Sequence, residues 1–294
     1  MTAARFSTYD QVGIKEDVSD VISNIDPTAT PFATAIRTGK KAISKVVEWQ
    51  EDSLSAVAEN AQIDGDDAPA ADQKATEMRT NYTQILSKTA KVTGSAEAVH
   101  THGRKSEMAL QLAKKGKEIK LDLEHVLVGL DTTKQAGNDS TIPRKMSSVF
   151  PQIDASMKGN AGTADLTEAM VRTRLQAAYD AGANTSTLMI KPTDADHVAA
   201  FATSRDVGNS EKVVNSVQVY VTPWGTLRVV LNRLLKADTA LIFDPEMWEL
   251  RWLRNWFTQP LAVTGDSMAK QIIGEVTLCH KNAKATAAIT NLST

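Results

Sequence analysis

Two histidines, His100 and His102, stand one residue apart, and imidazoles this close could share a metal ion. No cysteine lies nearby, and no further ligand follows at the spacing of a zinc site. The segment DGDD, Asp64 to Asp67, is similar to the start of a calcium-binding loop, but it lacks the closing glutamate and the regular oxygen spacing. These patterns favour surface histidines and a solvated acidic loop, so we expect neither a metal nor a cofactor.

Nucleophilic and phosphate-binding chemistry has no better candidates. The GKK at Gly39 and the GKE at Gly116 lack the upstream glycine and the Ser or Thr of a phosphate-binding loop. No GxSxG nucleophile elbow occurs. The single cysteine, Cys279, alternates with Thr277 on an apolar strand, which is typical of a small core residue. The sequence therefore favours a protein without catalysis.

Aromatic and basic residues offer only weak candidates for nucleic-acid binding. Trp248, Trp252 and Trp256 could form a base-stacking platform, but Trp248, Leu250 and Trp252 also fit one strand face, which favours buried packing. The formal net charge of −2 does not suit a chain built as a whole to hold nucleic acid. The lysines of the longest helical segment are balanced by four acids, so we expect a solvated or subunit-facing surface there. These acids are Glu107, Glu118, Asp122 and Glu124.

Length and composition bound the protein class. The 294 residues, 42% of them hydrophobic, suffice for one large domain or two smaller ones. A single cysteine cannot form an internal disulfide, which suits a reducing compartment. The start of the chain has no apolar core of a signal peptide, and no apolar stretch approaches the length of a membrane span.

An acidic hairpin is the most distinctive predicted element. Residues 40–54 alternate as a strand, and a second extended run begins at Met78. Between Glu51 and Asp72 the chain has no Lys or Arg and seven acids, which predicts an exposed tip. The acids are Glu51, Asp52, Glu59, Asp64, Asp66, Asp67 and Asp72. We expect the tip to dock on a basic surface of another chain, because so long a hairpin is marginal alone.

The remaining elements follow from periodicity. Apolar residues three and four apart predict a long helix over Arg104–Leu130, with Ser106 as its cap and Lys120–Glu124 among its i,i+4 pairs. A compact α/β region begins near Asp165, with two helices, a hairpin around the TPWG turn and further strands. The tail is predicted to be another strand pair.

A short apolar helix near the start must dock on something. In DVSDVISNIDPTATPF, residues Val18, Val21, Ile22 and Ile25 form one helical stripe, which Pro27 ends. About nine residues do not hold a helix in water without packing partners. The stripe must therefore pack on its own core or on another chain.

Five segments in order carry a resemblance to a known family. They are DVSDVISNIDPTATPF, VVEWQEDSL, NYTQILSKTAKVTGSAEAV, GRKSEMALQLAKKGKEIKLDLEHVLVG and LAVTGDSMAKQIIGEVTLCHKNAKA. The chain resembles the major capsid proteins of tailed bacteriophages, in the SU-ten-like group, with the Hong Kong 97-like fold. The resemblance implies an α+β architecture in five parts. These are an N-terminal arm (1–40), an extended β-hairpin loop (41–93), a peripheral domain with a spine helix at about 104–130 (94–165), an axial α/β domain (166–257) and a return to the peripheral domain (258–294).

The same resemblance implies a function. Copies of the chain would form hexamers and pentamers of an icosahedral head around double-stranded DNA, without catalysis or a membrane. Scaffold, portal and decoration proteins would be partners, the DNA contact would be non-specific, and the virion would be assembled in the host bacterial cytoplasm. The subunit-interface residues would be Val18, Val21, Ile22, Ile25 and Phe32 in the arm, with Asp64, Asp66, Asp67 and Arg79 in the extended loop.

Three alternatives stay open at this point. A nanocompartment of the encapsulin type would use the same fold around a protein cargo. A soluble α/β enzyme would be a small oligomer instead of a shell. Within a shell, Lys74 and Asn282 are the residue types needed for a covalent isopeptide link between neighbours, but no catalytic glutamate is identified.

A charge in the opening stripe tests its role. We expect Val21→Asp to leave the monomer folded and to prevent stable shells, since it strands a charge in an apolar interface. Full burial of each stripe residue would contribute roughly 1.5–3 kcal/mol. Circular dichroism and analytical ultracentrifugation of one sample would test both halves. An unfolded monomer would assign the stripe to its own core, and normal shells would mean that it is not buried.

Overall fold

The computed structural model describes residues 28–55, 57–65, 67–68, 73–99, 105–203, 219–263 and 265–293. The stripe of Val18, Val21, Ile22 and Ile25 lies outside them, as do Asp66, His100 and His102. The helices are α1 Pro31–Ala35, α2 Gly94–Ala98, α3 Glu107–Glu124, α4 Val149–Gln152, α5 Glu168–Asp180 and α6 Ala195–Thr203. The strands are β1 Arg37–Thr38, β2 Val46–Glu51, β3 Glu77–Tyr82, β4 Gln84–Thr93, β5 Lys158–Asn160, β6 Thr187–Ile190, β7 Val219–Thr222, β8 Gly225–Leu231, β9 Ala240–Phe243, β10 Trp248–Pro260, β11 Ser267–His280 and β12 Thr286–Thr290.

The described strands form three sheets. A four-stranded sheet has the order β1-β10-β11-β4, and a six-stranded sheet has the order β5-β12-β9-β6-β8-β7. Strands β2 and β3 pair antiparallel by themselves, with Val46 opposite Tyr82 and Glu51 opposite Glu77. The two larger sheets share one hydrophobic core with α3, α4 and α5, so they form a continuous body from which the two-stranded hairpin departs.

Helix α3, the spine helix, forms as its sequence predicts. Met108, Ile119 and Leu123 are buried along one side of it, against the sheet, and the Ser106 hydroxyl accepts a hydrogen bond from the N–H of Ala109 at 3.1 Å. A single π-helical turn, His125–Gly129, extends the helix. The predicted helix over Arg104–Leu130 is thus confirmed in the part that the structure describes.

Strand partners differ from the expectation in two places. The second run of the predicted hairpin divides at Thr83: β3 pairs with β2, whereas β4 pairs with β11 from Gln84 to Thr93. The two strands of the tail do not pair with each other, because β11 lies in the four-stranded sheet and β12 pairs with β9 and β5. The six-stranded sheet therefore reaches beyond the predicted 166–257 range, to residues 158–160 and 286–290, and β10 belongs to the other sheet.

The tryptophans pack as predicted. Trp248 is fully buried, its ring stacks on His280 with centroids 3.8 Å apart, and its Nε1–H donates to Thr286 Oγ1 at 2.9 Å. Trp252 and Trp256 meet edge to face at 5.0 Å. Burial lowers the pKa of His280 to about 3, so its ring stays neutral inside this junction of the two sheets.

Cys279 is also confirmed as a small core residue. It is buried with Ala42 and Val47 behind the hairpin, and burial raises the pKa of its thiol to about 12. A thiol this far from ionisation is a packing group and not a nucleophile.

The start of the described chain belongs to the body and not to a free arm. Pro31 occupies the first turn of α1, where the missing N–H costs nothing, so the chain turns into a helix there instead of staying extended. Phe32 is completely buried against Phe243 and Trp248, with ring centroids 5.2 and 6.0 Å away. The prediction that Phe32 contacts another subunit is therefore corrected, because its side chain has no surface left to offer.

Glu124 holds α1 in place. Its carboxylate is fully buried and accepts hydrogen bonds from the N–H groups of Phe32 and Ala33, both at 2.8 Å, and from Asn232 Nδ2 at 2.7 Å. Helix α1 has no side-chain cap of its own, so Glu124 supplies one from the spine helix. The predicted surface pair between Lys120 and Glu124 is wrong, since the carboxylate points inward.

Removing this carboxylate should destabilise the protein in a pH-dependent way. Glu124→Ala leaves the N–H groups of Phe32 and Ala33 without their acceptor and removes one of the two acceptors of Asn232 Nδ2, which we expect to lower the free energy of unfolding by about 1–3 kcal/mol. Burial raises the pKa of Glu124, so its stabilisation is complete below the ordinary value of 4.5 and is lost as the pH rises through the raised pKa. Urea denaturation should therefore show a larger cost at pH 4.5 than at about pH 8.

Glu118→Ala is the matched control. Glu118 lies six residues earlier on the same helix, half exposed and paired with Lys115, so its loss should cost about 0–1 kcal/mol. A cost for Glu124→Ala that grows with pH, or equal costs for the two variants, would contradict the assigned role.

Candidate assembly surfaces

The hairpin of β2 and β3 is fixed to the body at its base by Asn81. This side chain is fully buried, and its Nδ2 donates to the carbonyl of Leu278 at 2.7 Å. Its Oδ1 accepts from the N–H of Ser147 at 2.8 Å. One amide thus ties the hairpin to strand β11 and to the loop before α4.

Glu51 provides a second tie at the last paired position of the hairpin. Its Oε2 accepts from Arg79 Nε at 3.0 Å, and its Oε1 accepts from the N–H of Ala283 at 3.0 Å. Arg79 also contacts Glu77, at 3.2 Å. Arg79 was predicted to face another subunit. The structure engages its guanidinium within its own chain, and its role at an interface stays a prediction.

Glu275 fixes the point where the hairpin leaves the four-stranded sheet. This carboxylate is 4% exposed and accepts from Thr83 Oγ1 at 2.8 Å and from Arg254 Nε at 2.9 Å. The guanidinium of Arg144 also contacts it and donates to the carbonyl of Thr83. A buried carboxylate needs such paired charges, and here they fasten the residue at which β3 passes into β4.

Beyond these ties the loop exposes large apolar side chains. Leu54 is 95% exposed, Val57 is fully exposed and Ile63 is 78% exposed. The acids Asp52, Glu59, Asp64 and Asp67 are exposed in the same loop. Exposed apolar side chains gathered on a projecting loop mark a contact surface. Sequence reasoning found the acids and missed the apolar residues, because they follow no helical or strand period.

Two further apolar surfaces lie elsewhere on the body. Val219 and Val221 point outward from β7, the last strand of the six-stranded sheet, and both are more than half exposed. Val99, Val263 and Met268 are exposed near the end of the β4–β11 pair that lies farthest from the hairpin. A chain with apolar surfaces at three separate places suits contact with several neighbours at once.

Metal-ligating side chains do not cluster in the part of the chain that the structure describes. No three His, Cys, Asp or Glu side chains there are placed to hold a metal ion. The same residues include no helix that is long and apolar enough to cross a membrane.

Comparison with known proteins decides the family. The profile of the SU10 major capsid protein family matches residues 2–293. This chain belongs to that family. The major capsid protein of Escherichia phage Phieco32 is 28% identical over 336 residues, which cover 95% of this chain and 95% of that protein. The predicted family and the predicted function of a phage major capsid protein are both confirmed.

Solved structures confirm the fold of this capsid protein. The capsid of cyanophage P-SCSP1u matches with a TM-score of 0.66 at 11% identity, over 95% of this chain and 93% of that one. Microbacterium phage Oxtober96 gives 0.65 at 14% identity, over 98% and 99%. The holo-SrpI encapsulin complex of Synechococcus elongatus gives 0.63 at 7% identity, over 95% and 93%. At these identities the likeness establishes the Hong Kong 97-like fold, with its mixture of helices and sheets.

The acids of the loop tip can be tested separately from its apolar residues. Replacing Asp64, Asp66 and Asp67 with asparagine should slow capsid assembly and flatten its salt dependence, because the charges would guide docking on a basic neighbour. Each exposed pair would contribute only about 0–1 kcal/mol, but the contacts repeat around a ring. Light scattering at low and high salt would follow the kinetics.

A double variant, Leu54→Ser with Val57→Ser, is the comparison. It should weaken assembly and leave the salt dependence intact, because it removes apolar contact and no charge. Wild-type kinetics of the triple asparagine variant at every salt concentration would refute electrostatic docking of the tip.

Proposed function

We propose that copies of this capsid protein assemble as hexamers and pentamers of an icosahedral phage head that encloses double-stranded DNA. The extended loop of each subunit lies on its neighbour, and the six-stranded sheet gathers around the centre of each capsomer. The observation that carries this proposal is the loop itself. It has a base fixed by buried polar contacts and a tip with almost fully exposed Leu54 and Val57.

The partners follow from this assignment. Scaffold, portal and decoration proteins contact the shell, and the packaged DNA touches its inner wall without sequence preference. The shell is assembled in the host bacterial cytoplasm and becomes the capsid of the virion. The protein acts by presenting complementary edges, and no step of its function requires catalysis.

Particle size and shape test the proposal directly. Analytical ultracentrifugation of the purified protein should show megadalton particles, and electron micrographs should show closed shells with five-fold and six-fold capsomers. A small soluble oligomer under all assembly conditions would contradict it and would favour a soluble enzyme.

A protein nanocompartment is the second candidate, and the fold shared with the SrpI encapsulin favours it specifically. The two functions differ in what the shell contains. Particles purified from infected cells should contain nuclease-protected double-stranded DNA if the head is viral, whereas a nanocompartment should contain a protein cargo. Denaturing gels of the same particles would show whether Lys74 and Asn282 join subunits covalently.

A further inference from the structure

The outer side of the spine helix presents lysines without partners. Lys114, Lys117 and Lys120 are all exposed, and none of the described carboxylates lies within ion-pair distance of them. They follow at three-residue intervals, so their backbone positions span about 9 Å of the helix axis. Three exposed lysines thus follow one another along the solvent-facing side of the helix.

The acids that would balance these lysines in sequence are engaged elsewhere. Glu118 pairs with Lys115 at 2.8 Å, and Asp122 pairs with Lys88 of the adjacent strand β4 at 2.8 Å. Lys88 also reaches Glu118 at 3.9 Å, and its hydrogen bond to Asp122 raises its pKa. The sequence of the helix suggests that its own acids neutralise its lysines. In the structure, Lys88 of the neighbouring strand pairs with two of those acids, Glu118 and Asp122.

Glu124 does not balance the surface lysines either, because its carboxylate points inward to α1 and Asn232. Glu107 lies in the first turn, about 10 Å along the axis from Lys114. Residues 114–122 of the helix together with Lys88 therefore carry five lysines and two carboxylates, a surplus of three positive charges. The five are Lys88, Lys114, Lys115, Lys117 and Lys120, and the two are Glu118 and Asp122.

The charge of the surface formed by Lys114, Lys117 and Lys120 indicates what kind of partner it binds. Long, flexible, fully charged side chains in a row suit a partner with regularly repeated negative charge, and duplex DNA carries one such charge per about 1.7 Å of its axis. The acidic loop of a neighbouring subunit is a poorer match. That loop exposes Leu54, Val57 and Ile63, whereas the spine helix, described over its whole length, exposes alanines and lysines but no large apolar side chain.

We propose that Lys114, Lys117 and Lys120 form a phosphate-contacting face through which each subunit holds the packaged duplex. The inference rests on the proposed function, since it places the spine helix at the inner wall of a DNA-filled shell. It replaces the expectation that the lysines are neutralised within the helix. The contact is with phosphate and reads no base sequence, because lysines directed at the backbone neutralise charge and release counterions.

DNA binding by the unassembled capsid protein tests this face. The probe is a random-sequence duplex of about 30 base pairs, followed by fluorescence anisotropy between about 50 and 200 mM salt. The variant replaces Lys114, Lys117 and Lys120 with glutamine. Loss of three phosphate contacts should weaken binding and reduce the slope of log K against log salt by about 2.7, at about 0.9 for each contact.

Two companion variants separate a specific face from net charge. Glutamine at Lys40, Lys41 and Lys45, three exposed lysines beside the hairpin, makes the same change in charge and should leave the slope unchanged. Arginine at positions 114, 117 and 120 keeps the charge and should preserve the slope. Equal slopes for wild type and the helix variant, or equal losses in both glutamine variants, would overturn the inference.

Electron microscopy of the same proteins distinguishes this inference from the proposed function. Shells of the helix variant that form normally but hold DNA less tightly, with DNA released at lower salt than from wild type, would support the phosphate face. A helix variant that binds DNA like wild type but cannot form shells would show that the face contacts a neighbouring subunit, which refutes the inference. Absence of shells from the wild-type protein would refute the proposed function, whatever the DNA measurement shows.

Discussion

Strand β11 is the constraint on which the rest of the structure depends. This strand of fourteen residues pairs with β10 from Lys270 to His280 and with β4 from Ser267 to Val276, so it joins these two strands in the four-stranded sheet. Its last residue, His280, stacks on Trp248 and contacts Thr286, which begins β12 of the other sheet. The strand thus joins both sheets into one body. The neutral, fully desolvated imidazole at this joint is a group that tolerates no charge near neutral pH.

The same strand also holds the hairpin. The carbonyl of Leu278 accepts a hydrogen bond from Asn81. The carboxylate of Glu275 accepts hydrogen bonds from Thr83, Arg144 and Arg254. These contacts use buried polar groups, which lose several hydrogen bonds together if the hairpin base shifts. The base of the hairpin is held by these contacts, whereas the loop beyond Glu51 exposes the apolar and acidic side chains that form the proposed contact with a neighbouring subunit.

Local periodicity predicted the elements well and their partners poorly. The spine helix followed from an apolar stripe and Ser106, because both signals lie within a few residues of each other. Alternation marked β11 and β12 as strands, but it carries no information about which strand lies alongside, and both were assigned to one pair. Thr83 ends the hairpin through contacts with residues about 60 and 190 positions away, a distance that no local pattern encodes.

The candidate surfaces also divide into features that local sequence patterns predict and features that depend on distant contacts. Acids without nearby lysines are visible in sequence, so the exposed tip was expected. Phe32 was assigned to a neighbour because the family resemblance places it in the N-terminal arm, yet its aromatic ring fills the core between Phe243 and Trp248. Glu124 and Lys120 have the spacing of a helical ion pair, but the desolvated N–H groups of α1 have no other acceptor and draw the carboxylate inward.

This rearrangement of charge connects the interior of the subunit to its surface. Each acid that stabilises a buried joint, such as Glu124 at α1, or that pairs with a strand lysine, such as Asp122, is removed from the balance on the outer side of the helix. A chain of formal charge −2 can therefore carry a local surplus of positive charge without an excess of lysine overall. For a shell this is an advantage, because near-neutral subunits pack side by side without strong repulsion while the proposed phosphate-contacting face keeps its local positive charge. The distribution of the charges follows from packing constraints, and the net charge alone does not reveal it.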